Sequence, residues 1–392
     1  MKILLSNKFY YRRGGDCIYT LNLEQLLRQH GHEVAVFAMQ HPENIQGKWN
    51  KYFPSEVKFS VGLGAVEAIR RPFGTKKVNR KFNNLLNDFQ PDIVHMNNIH
   101  SQLSPIIAQI AHERGIKTVW TIHDYKLLCP RYDCLRNGMQ ICELCFTDNK
   151  QVLKNQCMKN SLFASLIAYM ETQKWTREKL ENYTDVFICP SQFMANKMLQ
   201  GGGFNINKIS VLCNFIDIEK TKIENYNKEN YYCYIGRLSH EKGVTTLIDA
   251  AKQLPGQLKI IGGGPLLEEL QHSVKNENIE FLGYKNWDEI KKIVGKARFS
   301  IIPSEWYENN PLSIIEAQCL GTPVLGANIG GIPELIEIGK TGMLFESRNA
   351  EDLKAKIEQM FTTDFNYSLI AQESQSRYSA EKYYQEIIKI YH

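Results

Sequence analysis

The sequence predicts an α/β fold in which two doubly wound parallel-sheet units follow one another. Short apolar, β-rich runs alternate with longer stretches of helical period, which is the pattern of parallel strands joined by crossover helices. That alternation occurs twice within the 392 residues. The length agrees, because a typical domain holds roughly 150 residues and two to three would fit.

In the first half the strands are read at Lys2 to Ser6, Glu33 to Ala38, Asp92 to Met96, Lys117 to Ile122 and Asp185 to Cys189. Helices near Cys17 to Gln29, Val78 to Asn87, Leu103 to Arg114 and Phe163 to Asn182 lie between them. The second half repeats the plan, with strands at Tyr231 to Ile235, Leu258 to Ile261, Ile279 to Leu282, Phe299 to Ile302, Pro323 to Leu325 and Met343 to Phe345. Its helices are expected near Val244 to Gln253, Leu266 to Val274, Trp287 to Val294, Leu312 to Cys319 and Ala350 to Met360. The polar stretch Asp217 to Asn230 marks the linker there or just before it. The expected domains are therefore residues 1–214 and 215–375, with 376–392 returning as an aromatic helix onto the first. Sheets of this kind bind ligands at the carboxyl ends of their strands, so two in series imply a cleft where those ends face each other.

Composition excludes disordered and fibrous classes: 43% of residues are hydrophobic, 23% are charged, and only 13 prolines stand beside 26 glycines. The charge is uneven, since residues 1–200 carry 26 Lys and Arg against 17 Asp and Glu, and the remainder 21 against 25. A basic first half suits an anionic partner such as a membrane surface, and equally suits an uneven solvated surface. No secretion signal is read, because Ile3-Leu4-Leu5 is too short an apolar core. Runs such as Leu162 to Met170 fall short of the roughly 20 residues that a membrane span needs. The reading is a cytoplasmic chain, soluble or peripheral at the inner face of the membrane, whose ten cysteines are thiols or metal ligands rather than a disulfide framework.

Four loops could carry chemistry. Asn7 to Arg13 ends in Gly14-Gly15 just before a helix, where backbone N–H groups and the helix dipole favour an anion. A plain tight turn explains the pair as well, and the G-x-G-x-x-G dinucleotide spacing is missing. Gly236-Arg237-Leu238-Ser239-His240-Glu241-Lys242-Gly243 follows a strand directly, so Arg237 and Lys242 can neutralise a diphosphate. Ile261 to Pro265 repeats the order of strand, glycines and helix start, and reads as a close-packing turn. Ile302 to Glu316 holds two carboxylates, Glu308 in the loop and Glu316 about one turn into a helix whose first position is Pro311. The N–H groups of Asn310, Leu312 and Ser313 are then open to a ligand, and Glu316 can accept hydrogen bonds from vicinal sugar hydroxyls.

These residues together resemble the retaining glycosyltransferases of family 4, which have the two-domain GT-B fold. The resemblance rests on Gly14-Gly15, on Gly236-Arg237-Leu238 with Glu241-Lys242-Gly243, on the E-x7-E pair Glu308 and Glu316, and on Gly330-Gly331-Ile332-Pro333-Glu334. It implies that Arg237 and Lys242 hold the diphosphate of a nucleotide sugar, a UDP- or GDP-sugar, that Glu316 binds its ribose and that Glu308 touches the donor sugar. It also implies that backbone from Asn309, Asn310, Pro311, Leu312 and Ser313 holds sugar and phosphate, and that backbone near Leu282 and Gly283 pairs with the base. Gly14 and Gly15 would meet the phosphates from the other domain, and His123 would face the donor sugar. The implied reaction is metal-independent transfer of a hexose, with retention, to a glycan or lipid-linked acceptor in surface polysaccharide assembly. A nucleotide-sugar epimerase of the same fold and a non-catalytic nucleotide-sugar-binding module are the rival readings.

Two further segments stand apart. Cys129, Cys142, Cys145 and Cys157 have a spacing compatible with a structural zinc site, but a second C-x-x-C is missing, which favours free buried or reactive thiols. Ala68 to Phe82 interleaves cations with apolar residues, as a patch lying on anionic lipid would, although Pro72 and Gly74 forbid one continuous helix. No nucleic-acid-binding module is recognisable.

Overall fold

The computed structural model describes residues 1–57, 63–223, 225–252, 254, 256–274 and 278–392. The chain divides into two compact units, residues 1–137 with 142–213 and 384–392, and residues 138–141 with 214–383.

The first unit is built on six parallel strands: β1 (Lys2–Ser6), β2 (Glu33–Phe37), β3 (Ile93–Met96), β4 (Lys117–Thr121), β5 (Val186–Cys189) and β6 (Ile209–Val211). Their order is β2-β1-β3-β4-β5-β6. Ile3, Leu4, Phe37, Val94, Val119 and Phe187 are fully buried, because helices cover both faces of a parallel sheet and leave its strands no polar side. The chain order reverses between β1 and β3, so the loops that leave these two strands diverge and open a crevice. Tyr384–His392, the second part of the helix Ala380–Tyr391, belongs to this unit. Tyr391 anchors it, its hydroxyl 2.6 Å from Nδ1 of the buried His95.

The second unit has β7 (Tyr231–Ile235), β8 (Gln257–Ile261), β9 (Ile279–Gly283), β10 (Ser300–Ile302), β11 (Val324–Ala327) and β12 (Gly342–Phe345). They run parallel in the order β9-β8-β7-β10-β11-β12, so this sheet reverses between β7 and β10. Stacked Tyr232 and Phe299, with Phe361 edge-on to both, fill the core beneath β7.

The structure departs from the expected elements in a few places. The predicted helix over 163–182 is two helices, Leu162–Lys174 and Arg177–Asn182. Trp175 breaks it, its indole donating to the Pro72 carbonyl at 2.9 Å, and the Thr176 hydroxyl caps the second helix. The units divide at 213/214, just before the polar stretch 217–230, whose described residues belong to the second unit, Glu224 lying outside them. Lys228 Nζ donates there to the Gly295 carbonyl and the Thr322 hydroxyl, each at 2.8 Å. The helix expected to end at Gln253, also outside the described residues, is described over Val244–Ala251.

Candidate active site

The loops leaving β7 and β10 flank the reversal point of the second sheet, and they are locked together. Gly243 closes the first loop at φ +66°, and a Cβ there would lie 1.8 Å from the Pro303 carbonyl oxygen of the second. Glu305 N–H donates to the Glu241 carbonyl at 2.9 Å, and the Thr246 hydroxyl to Glu305 at 2.5 Å. Across this seam Lys242 Nζ meets Glu308 Oε1 at 2.6 Å, and the Ser304 hydroxyl donates to the same oxygen at 2.7 Å. Lys242 also lies over the Trp306 ring, 4.9 Å from its centroid. Glu308 is 8% exposed. Burial alone would raise its carboxyl, but the charge and hydrogen bond of Lys242, joined by Ser304, outweigh that and hold it below the usual carboxylate range.

A third loop fixes the Glu308 backbone. Gly330 has φ +62°, and a Cβ on it would lie 2.3 Å from the Glu308 carbonyl oxygen, while Gly331 N–H donates to that oxygen at 2.7 Å. Gly330→Ala is therefore expected to destabilise the protein by about 2–5 kcal/mol, from left-handed strain plus overlap with main chain that cannot swing aside. Urea unfolding of both proteins measures this, and an unchanged midpoint contradicts it.

The helix Leu312–Cys319 begins on this seam. Pro311 is its N-cap rather than its first helical residue, and Ile314 N–H bonds back to the Pro311 carbonyl at 3.1 Å. Leu312 and Ser313 occupy the first turn, whose N–H groups have no acceptor within the helix. The Asn310 side chain is spent on anchoring: its Oδ1 accepts from Asn214 N–H at 3.0 Å, and its carbonyl accepts from the Asn214 amide at 2.8 Å. Glu316 follows one turn in, where burial raises its carboxyl to about 7. Arg237 is exposed, and among the described residues no carboxylate pairs with it. Gly283 ends β9 at φ +67°, its carbonyl accepting from Gly262 N–H at 2.8 Å.

In the first unit the loops after β1, β3 and β4 converge on its own reversal point. Gly14 caps the helix Gly15–Gln29 without a side chain, and a Cβ on Gly15 would meet nothing within 4 Å. Asn98 ties the loops together, its N–H donating to Asn7 Oδ1 and its amide to Asp16, both at 3.1 Å. His123 Nε2 lies 2.9 Å from Asn97 Oδ1, and its ring meets Tyr19 edge-on. Burial lowers the imidazole to about 4 against the partial opposition of Asp16, so His123 is neutral at neutral pH. Asn97 is fully buried, yet its Nδ2 has no partner among the described residues, nor has Ser6 Oγ at the end of β1. Unsatisfied buried polar atoms beside a neutral histidine fit a site built to meet a polar ligand.

Sequence reasoning brought Lys242, Glu308, Glu316 and the Leu312 and Ser313 amides to this neighbourhood. It missed Ser304 and Gly330 as supports of Glu308; the quoted Gly330-Gly331 pair was the available signal. Cys129, Cys142, Cys145 and Cys157 lie near enough to act on one another's charge, but among the described residues no three His, Cys, Asp or Glu side chains stand together as a cation site. The Cys129 thiol engages Cys134 instead, whose hydrogen bond pulls it down to about 7, while burial pushes Cys145 up to about 12. The apolar half of the basic segment 68–82 also faces inward: Pro72, Val78 and Phe82 are core residues, and Arg71 is buried on Glu67 at 2.6 Å.

Comparison with known proteins agrees with this layout. Residues 13–220 match the model of Glycosyltransferase Family 4, and residues 215–383 that of Glycosyl transferases group 1. An uncharacterized 42.6 kDa protein in the cps region of Klebsiella pneumoniae is 26% identical over 357 residues, 86% of this chain and 88% of that protein. The uncharacterized glycosyltransferase MJ1178 of Methanocaldococcus jannaschii is 29% identical over 215 residues, 53% of this chain and 59% of its own length. Among solved structures, Anabaena Alr3699/HepE in complex with UDP and glucose superposes with a TM-score of 0.67 at 18% identity, covering 100% of this chain and 99% of that one. With a family model covering more than half of its residues and two parallel six-stranded sheets of the GT-B type, the chain belongs to glycosyltransferase family 4.

Proposed function

We propose that this protein transfers a hexosyl group, with retention and without a catalytic metal, from a nucleotide diphosphate sugar to a glycan or lipid-linked glycan acceptor. The observation that carries the reading is the Lys242–Glu308 contact across the two loops at the reversal point, which sets a cation and a carboxylate side by side where sheets of this type bind ligands. Lys242 turns from Glu308 to the diphosphate when donor binds, joined by Arg237 and the N–H groups of Leu312 and Ser313. Glu308 is then left to accept hydrogen bonds from the sugar hydroxyls, and Glu316 from the ribose. Backbone of Gly283 and of Asn309 to Pro311 completes the donor site, with Gly14, Gly15 and His123 acting from the first unit. Breaking the C1–O bond leaves negative charge on the diphosphate, which these fixed charges and dipoles stabilise. The acceptor hydroxyl attacks the same face of the sugar, and its proton passes to the departing phosphate oxygen.

Supporting the donor class, the Anabaena protein of the same fold holds UDP and glucose. Supporting the setting, relatives lie in a capsule region and in O-antigen biosynthesis, the latter in the Escherichia coli glycosyltransferase WbnH, 30% identical over 206 residues. Incubation with UDP-, GDP- and ADP-sugars plus acceptor extract in chelator tests the reading. Release of nucleoside diphosphate that Glu308→Ala abolishes is expected. Altered sugar stereochemistry without acceptor, or turnover only with added divalent ion, would overturn it.

A neutral His123 acts through hydrogen bonding, so the transfer rate should show no titration of this residue above about pH 5. His123→Ala is expected to lower the rate by at least about tenfold at every pH from there upward. A rate limb near neutrality that vanishes in the variant contradicts this.

A further inference from the structure

The helix Leu162–Lys174 of the first unit is packed inside out. At about 100° per residue, Leu162, Phe163, Leu166 and Met170 share one face, and Ser165, Ala168 and Glu171 the opposite one. The inward face is the small and polar one: Ser165, Ala168 and Glu171 are buried, and Glu171 pairs with Lys126 at 2.9 Å. The large apolar side chains point outward, Leu162 being 60% exposed, Phe163 63%, Leu166 42% and Met170 50%. A folding core gains nothing from that arrangement, and a contiguous exposed apolar strip marks an interaction surface.

Charge selects the partner. From Asp148 to Lys179 the exposed charged residues are Lys150, Lys154, Lys159, Lys174, Glu178 and Lys179, a clear surplus of cations although Lys154 faces Asp148 at 3.9 Å, and Glu171 is buried. Lys174 closes the strip one turn beyond Met170 and donates to the Phe73 carbonyl, which sets the strip beside the segment that carries exposed Arg70, Lys76 and Lys77. A second copy of the chain fits poorly, because an isologous contact would set lysine against lysine. We propose that this helix is a docking face for an anionic bilayer, its apolar strip entering the interface while the surrounding lysines meet lipid phosphates. It supplies the apolar element that segment 68–82 lacks, and it stands apart from the transfer chemistry.

The test is co-sedimentation of the full chain with vesicles of equal parts phosphatidylglycerol and phosphatidylcholine. Wild-type protein is expected in the pellet at low salt, with pure phosphatidylcholine capturing far less. F163S/L166S is expected to bind at least about tenfold more weakly. Because these side chains are exposed, its melting temperature should match wild type, and K150E/K159E, which leaves the strip untouched, should lose binding to the anionic vesicles as well. Wild-type protein remaining in the supernatant, or F163S/L166S sedimenting as wild type does, overturns the proposal. So does a wild-type dimer in light scattering that F163S/L166S turns into a monomer while neither protein binds vesicles.

Discussion

Replacing Lys242 by methionine is expected to lower transfer by about 10²–10³-fold, the scale of losing one fixed charge in its proposed role at the departing diphosphate. The same change strands Glu308, whose carboxylate keeps the Ser304 hydroxyl but loses its cation. A buried carboxylate without its partner should destabilise the fold by about 1–3 kcal/mol at neutral pH. In the wild type Glu308 lies below the usual range, so its contribution is present above the unfolded value and is lost as pH falls through the folded one. In Lys242→Met only the Ser304 hydrogen bond still opposes burial, and with the cation gone burial dominates and the sign reverses, so the variant's deficit in Tm should be largest at alkaline pH and shrink toward acid. Lys242→Met combined with Glu308→Gln should regain much of the stability, because no charge is left buried, and regain none of the transfer. A double variant as unstable as the single one would remove the ion pair from the account.

Glu316→Gln separates function from stability in the opposite direction. Burial raises this carboxyl from 4.5 to about 7, so near neutrality the folded protein holds a proton that the unfolded chain has released. The stability it contributes is complete below 4.5 and is lost as pH rises through about 7. Glutamine does not ionise, so the variant should exceed wild type by about 1–3 kcal/mol at pH 8 and match it near pH 4. Donor affinity should move the other way, falling about 10–100-fold because the charged acceptor proposed for the ribose hydroxyls is gone. Wild-type affinity should strengthen as pH rises from about 6 to 8, while that of the variant stays flat. Thermal unfolding and nucleotide titration at both pH values measure the two effects. A variant that loses stability at pH 8 would show that Glu316 is a structural carboxylate.

The central strands were legible because a parallel sheet covered on both faces writes itself as continuous apolar runs, as in Lys2 to Ser6 and Tyr231 to Ile235. The bounds of the helix Leu312–Cys319 were legible because a proline marks its start, although Pro311 caps the helix rather than holding its first position. Elements carried by few buried residues escaped: β6 is only partly covered, and Tyr367–Arg377 buries just Ile370, Ala371 and Ser374. The break at Trp175 depends on a hydrogen bond to Pro72, more than a hundred residues away, and no local signal announces it. Lys242 and Glu308 were each readable as loop residues after a strand. Their contact depends on β10 lying beside β7, an order in space that a sequence does not display. The spacing did not single out the partner that Cys129 finds, because Cys134, turned by a positive φ of 52°, brings its own thiol to it. In the basic segment Pro72, Val78 and Phe82 belong to the core, which the interleaving of cations and apolar residues did not show.

The most direct measurement is calorimetric titration, in chelator, of UDP and GDP against the corresponding nucleoside monophosphates, into wild type and Lys242→Met. For the base that binds, the wild type should prefer the diphosphate by at least about tenfold, the worth of one charge-assisted contact to the second phosphate, and Lys242→Met should lose that preference. A preference that appears only with added divalent ion, or that survives in Lys242→Met, would contradict the assignment of fixed positive charge as the grip on the diphosphate.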